Sequence, residues 1–152
     1  MIWCTFFKEN TMKKIIGVTL FLFLTAHAFA QKGDAILGKW LSPGGRGQVE
    51  VYKKNNKYFG KIVWLKVTVD KNGKPLTDRR NLNLSLRKRP VLGLEVLKNC
   101  NVKGKYYDDG TIYDPESGKT YTCNLFLNGN KLKVTGFVGM FVGRTDTWTR
   151  VN

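Results

Sequence analysis

Histidine is almost missing from this chain: His27 is the only one in 152 residues. Catalysis that relies on an imidazole base needs a histidine in the folded domain, and so do zinc sites that have too few cysteines. Both are excluded if His27 leaves with a leader. Acidic residues are also few, 11 against 26 lysines and arginines, for a formal charge of +15. There are three cysteines and four prolines, and no segment beyond the first thirty residues keeps a helical period. A helical bundle and a cysteine-rich scaffold are thereby excluded.

The opening residues carry a processing signal. "MKKIIGVTLFLFLTAHAFA", Met12 to Ala30, has two lysines, an apolar run from Ile15 to Ala26 and the small-x-small ending Ala28, Phe29, Ala30. This is the plan of a secretory signal peptide, and the run falls short of the roughly 20 residues that span a bilayer. Cleavage is expected after Ala30, with residues 1–11 as an extension upstream of the true start. Residues 31–152 are then expected as one domain without a transmembrane segment, in the periplasm or outside the cell. No cysteine follows the cut to take a lipid.

Removal of that segment takes Cys4 and His27 but only three of the basic residues, so the remainder stays strongly positive. Such a charge favours anionic neighbours, namely lipid headgroups, acidic polysaccharide or nucleic acid, and export argues against the last. Cys100 and Cys123 are left as the only pair. In an oxidising compartment they read as one disulfide, worth roughly 3 to 4 kcal/mol by loop closure, or as two separate buried thiols.

What remains reads as short strands between turns: "ILGKWLS", "QVEVYKK", "KYFGKIVWLK", "KYYDDGTIYD", "KTYTCNLFL", "KLKVTGFV" and "GRTDTWTR". Asn55 and Asn56 tolerate the backbone of a tight hairpin, and "PESG", "NGN" and Gly139 supply other turns. Seven or eight strands at this spacing predict an all-β fold, an antiparallel up-and-down barrel. The inward set is expected to include Val49, Val51, Leu125, Leu127, Leu132 and Val134, with Tyr58, Trp64, Tyr121 and Trp148 lining or filling the centre.

Val67 to Asn101 breaks the pattern. It starts with "VDKNGKP", a plain turn that lacks the later ligands of a calcium loop. The basic stretch that follows is long for a connection, with Asp78 placed to cap a short helical turn and Pro90 limiting its extent. It is expected either to cover one barrel end as a lid or to plug it with Leu84, Leu86, Leu92, Leu94 and Leu97.

"GKW" on the first strand and an arginine beside tryptophan on the last resemble calycins, the group of lipocalins and fatty-acid-binding proteins. The resemblance implies that Trp40 covers the barrel end, that Arg144 or Arg150 lies across an indole, and that Asp146 neutralises the arginine. "KIVWLKVTVDKNGKPLTDRRNLNLSLRKRPVLGLEVL", "GTIYDPESGKTY" and "GRTDTWTR" resemble, more narrowly, the bacterial domain-of-unknown-function family 2147 (DUF2147), small exported calycin-like barrels without an established activity. The likeness runs from Leu37 to Arg150 and is most specific at Arg87 to Pro90 with Gly93, and at Tyr113, Asp114, Pro115, Gly118, Lys119 and Tyr121. It implies fold and compartment, and no mechanism.

Catalytic motifs are weak. Ser42, Ser85 and Ser117 sit in turns with no local base, and "SGKT" lacks the upstream glycine and the helix of a phosphate loop. Asp108, Asp109, Asp114 and Glu116 cluster in what read as two adjacent turns, the one place for a carboxylate pair or a calcium ion. No metal and no cofactor is expected. The expected task is non-catalytic binding of a small amphiphilic or anionic ligand in the barrel or at its mouth, through Trp64, Arg87, Arg89, Tyr113, Tyr121, Arg144 and Trp148. The rival expectation is a structural or interaction protein of the envelope, with a filled barrel and a basic surface that contacts anionic polymers or a protein partner.

Overall fold

The computed structural model describes residues 33–151. The barrel is the compact unit Ile36–Asn152. Its strands are β1 (Gly38–Leu41), β2 (Gly47–Lys54), β3 (Lys57–Leu65), β4 (Glu95–Lys103), β5 (Tyr106–Asp114), β6 (Lys119–Asn128), β7 (Lys131–Val138) and β8 (Phe141–Val151). Each pairs antiparallel with the next, and β1 pairs antiparallel with β8, which closes an eight-stranded up-and-down barrel. Closure removes every free sheet edge.

Alternation builds the interior. Cys123 and Leu125 on β6, Leu132 and Val134 on β7, and Val49 and Val51 on β2 all recur at every second residue and are buried. The turns also follow from sequence. Asn55 and Asn56 both take positive φ, 50° and 58°, as a two-residue hairpin between right-twisted strands requires.

Because the strands run up and down, the connections divide between two ends. The β2–β3, β4–β5 and β6–β7 turns lie at one, which is packed shut. Ile36, Trp40, Tyr58, Leu97, Cys100, Leu125 and Leu132 are almost fully buried there, and Tyr58 meets Tyr107 edge-on at 5.2 Å. The β1–β2, β5–β6 and β7–β8 connections and the long residues 66–94 stand at the other end.

Three expectations change here. The long connection stops at Leu94, and β4 occupies residues expected to be loop. Its alternation is interrupted: Val96 and Leu97 are both buried, Asn99 has φ 60°, and the pairing with β3 shifts register twice. Bulges of this kind hide a strand from a period-2 reading. The plug is also absent. Leu84 and Leu92 are exposed and Leu86 is largely so, while Leu94 and Leu97 are buried beneath and within β4. Nor does Asp78 cap a helical turn, since the 3-10 turn Leu84–Leu86 is capped by Asn83, whose Oδ1 accepts from Ser85 N at 3.0 Å.

Cys100 and Cys123 are both free and buried. They lie on β4 and β6, with β5 between them. Two strand spacings place their Cα atoms about 9 to 10 Å apart, beyond the reach of a disulfide, which needs about 4.4 to 6.8 Å. The thiols meet over Gly110 of β5, where a Cβ would stand 2.2 Å from Cys100 Sγ. The expected bridge is therefore replaced by a thiol pair, and the hydrogen bond to Cys100 together with burial pushes the Cys123 thiol up.

Candidate functional site

The closed end is finished by the first and last strands. Trp40 pairs with Arg150 across the β1–β8 seam, and the Arg150 guanidinium lies 4.2 Å from the indole centroid. Trp40 Nε1 donates to Ile36 O at 2.9 Å, and Arg150 Nη1 donates to Leu37 O at 2.9 Å. A cation stacked on an indole is worth about 0.5 to 2 kcal/mol. Arg144 and Asp146 take no part in this seal. They pair with each other at 2.9 Å further along β8, toward the opposite end.

At that opposite end the barrel is hollow. A cavity of about 760 Å³ opens between the strands, a size suited to a small organic ligand. Val49, Ile62, Val96, Ile112, Val134 and Trp148 form its apolar floor, and Tyr113 and Tyr121 its walls. Leu76 and Val91 from the 66–94 connection complete one side. The question of a filled or a hollow barrel thus has a divided answer: the lower half is core and the upper half is space.

The rim is charged. Arg46, Lys66, Arg79, Arg80 and Arg144 line it, with Asp114, Glu116 and Asp146. Arg46 pairs with Glu116 at 2.6 Å, and Arg80 Nη1 donates to Glu116 O at 2.5 Å. Among the described residues Lys66, Arg79 and Arg80 are the rim cations that make no ion pair, and of these Arg80 is held by the Glu116 carbonyl, which leaves Lys66 and Arg79 for a ligand.

The 66–94 connection is anchored by a buried carboxylate. Asp78, fully buried, accepts from Tyr113 OH at 2.5 Å, Asn81 Nδ2 at 2.8 Å, Arg89 Nε at 2.9 Å and Arg89 Nη2 at 2.8 Å. Asn81 Nδ2 also reaches Tyr113 OH at 2.9 Å, and the Arg89 guanidinium lies 5.5 Å from the Tyr113 ring centroid. Loss of solvent first, and the Asp78 carboxylate second, hold the Tyr113 phenol above its ordinary pKa. A second fastening is steric. Gly118, at φ 73°, lets the Arg80 carbonyl approach so closely that a Cβ would stand 1.8 Å from its oxygen. The connection is a fixed flank of the mouth, neither plug nor cover.

Of the expected ligand contacts, Tyr113, Tyr121, Arg144 and Trp148 converge on the cavity. Trp64, Arg87 and Arg89 do not. Trp64 is 42% exposed because β3 carries an extra residue: Val49 pairs with Ile62 but Gln48 pairs with Trp64, and this bulge at Val63 turns the indole outward. Arg87 Nε donates to Asn81 O at 2.8 Å, and Arg89 serves Asp78, so both hold the connection together. Asp78 and Asn81 were missed as an anchor because their partners lie up to 35 residues away, on β5 and beyond Pro90. Their only sequence signal is a carboxylate and an amide three apart in a basic run.

The acidic cluster comes apart in space. Asp108 and Asp109 belong to the closed-end part of β5, where Asp109 pairs with Lys103 at 2.9 Å, while Asp114 and Glu116 stand at the open rim. Five strand residues separate the two groups by about 16 Å, too far for a paired-carboxylate mechanism. Asp70 instead closes a plain turn, its Oδ1 accepting from Asn72 N and Lys74 N.

A closed eight-stranded barrel with an apolar cup at one end and a tryptophan–arginine seal at the other is a lipocalin-like barrel. The solved protein HP1028 from Helicobacter pylori, described as belonging to the lipocalin family, is similar in structure, with TM-score 0.64 and 25% identity over 77% of this chain and 83% of that one. Among curated proteins none matches. Residues 38–150 match the family described as an uncharacterised protein conserved in bacteria, DUF2147, and the chain belongs to it.

Proposed function

We propose that this protein binds one small amphiphile in the open half of its barrel, without catalysis. The observation that carries the reading is the cup itself: an apolar floor beneath a rim on which Lys66 and Arg79 make no ion pair among the described residues. A guest with an acyl or other apolar body reaches Trp148 and Val134, while its carboxylate or phosphate meets those two cations. Relation to a lipocalin-family structure supports the class of activity. The leader pattern of Met12 to Ala30 supports an exported, periplasmic or extracellular binder.

Titration with a fluorescent fatty acid tests the reading. One saturable site is expected in the wild type. Val134→Trp fills the floor and abolishes it, while Lys66→Gln with Arg79→Gln weakens it about tenfold, the order expected for one charge-assisted contact. Saturable binding that survives Val134→Trp would overturn the assignment. N-terminal sequencing of the envelope fraction tests export, with Gln31 expected as the first residue.

A further inference from the structure

We propose that the open end of the barrel docks onto an anionic lipid bilayer, with the tip of the β7–β8 hairpin inserted among the headgroups. The tip is Val138, Gly139, Met140, Phe141, Val142, and its four side chains are all exposed, Met140 at 94% and Phe141 at 78%. Hairpin tips in water are ordinarily polar, and the turns of the opposite end obey that rule with Asn55–Asn56, Gly104–Lys105 and Gly129–Asn130. The strongest apolar exposure is therefore at the open pole; at the closed pole, among the described residues, only Val102 and Tyr106, at 43% and 40%, flank a turn whose tip is polar. The 66–94 connection adds to it at the same pole, with Val67, Leu82 and Leu84 exposed.

Charge selects the occupant. The rim carries Arg46, Lys66, Arg79 and Arg80 close to these apolar groups, and Arg87 and Lys88 are exposed on the same connection. Apolar side chains flanked by lysine and arginine are the composition of a surface that lies in the interface of an anionic membrane. An acidic polymer satisfies the cations and leaves Met140 and Phe141 in water. A second copy of this chain, mouth to mouth, sets the same cations against each other. A bilayer with acidic headgroups accommodates both features together. The docking does not depend on what the cavity binds, although a mouth held against a bilayer also gives an amphiphile a path that avoids water.

An environment-sensitive fluorophore on Met140→Cys in the full chain carrying Cys4→Ser tests this, since the remaining Cys100 and Cys123 are buried and react slowly. The control carries the same fluorophore on Asn55→Cys, at the other pole. With phosphatidylcholine vesicles containing phosphatidylglycerol, a blue shift and quenching by brominated lipid are expected at position 140 and not at 55. Raised salt reverses them, as does omission of phosphatidylglycerol. Adding Phe141→Ser to the labelled chain weakens the response at least about tenfold. No response at 140, an equal response at 55, or a lipid-independent shift that grows with protein concentration each overturns the proposal; the last identifies self-association instead. Fatty-acid titration of the same samples reads the cavity separately, so failure of either reading leaves the other intact.

Discussion

Replacing Asp78 by alanine tests how the mouth is held. The substitution removes the acceptor for Tyr113 OH, Asn81 Nδ2 and two Arg89 nitrogens at once. Breaking a buried ion pair by deleting one partner costs about 3 to 5 kcal/mol. Arg89 is 34% exposed and can turn to water, which removes part of that penalty. Tyr113 and Asn81 each lose one bond, about 1 kcal/mol apiece. A net loss of about 3 kcal/mol is therefore expected, and Asp78→Asn, which keeps the shape but not the charge, recovers only part of it. Glu50→Gln is the benchmark, because Glu50 pairs with Lys61 at the surface and its loss is expected to cost under about 1 kcal/mol. Urea unfolding measures the three variants. Trypsin reports where the loss is felt: cleavage at Arg79, Arg80, Arg87 or Lys88 is expected in Asp78→Ala while the strands stay protected. A midpoint equal to that of Glu50→Gln, with residues 66–94 still resistant, would refute the reasoning.

Arg150→Leu removes the cation from the Trp40 face and a donor from Leu37 O, and thermal unfolding is expected to show a loss of about 1 to 3 kcal/mol, against almost none for Arg144→Leu. Gly110→Ala drives a methyl group into Cys100 Sγ and is expected to cost about 1 to 3 kcal/mol or more, much of it recovered when combined with Cys100→Ala, as denaturant midpoints will show. Alkylation followed by mass spectrometry is expected to modify Cys100 and Cys123 only after unfolding, with no reductant needed; one disulfide mass would contradict the strand spacing. At high pH the tyrosines set the sign. Tyr52 is pushed up to about 12 by burial first and by Glu95, and Tyr113 is raised for like reasons. The unfolded phenols ionise near 10, so stability is present below that pH and lost between about pH 10 and 12, and the decline is shallower in Tyr52→Phe by urea titration.

The strands β2, β6 and β7 were legible because their apolar residues alternate without interruption, and the Asn55–Asn56 hairpin because only a few residues accept two positive φ values in a row. β4 was not, since its bulge places Val96 and Leu97 side by side in the interior. The same device hid the direction of Trp64, where one inserted residue, Val63, reverses the face of everything after Ile62. Composition could name Arg144 and Arg150 as partners for an indole. Only register, which sets Trp40 opposite Arg150, separates them. The cavity was half legible: Tyr113, Tyr121, Arg144 and Trp148 were readable as a group, whereas the roles of Asp78, Arg87 and Arg89 depend on contacts between distant parts of the chain.

The central claim is a barrel divided into a solid half and a hollow half, with a guest only in the second. Paramagnetic broadening by a nitroxide-labelled fatty acid measures this most directly through the indole N–H signals. Trp148, on the cavity floor, is expected to broaden at one equivalent, while Trp40, beneath Arg150 at the sealed end, stays sharp. Equal broadening of both, or broadening confined to the outward-facing Trp64, would contradict it.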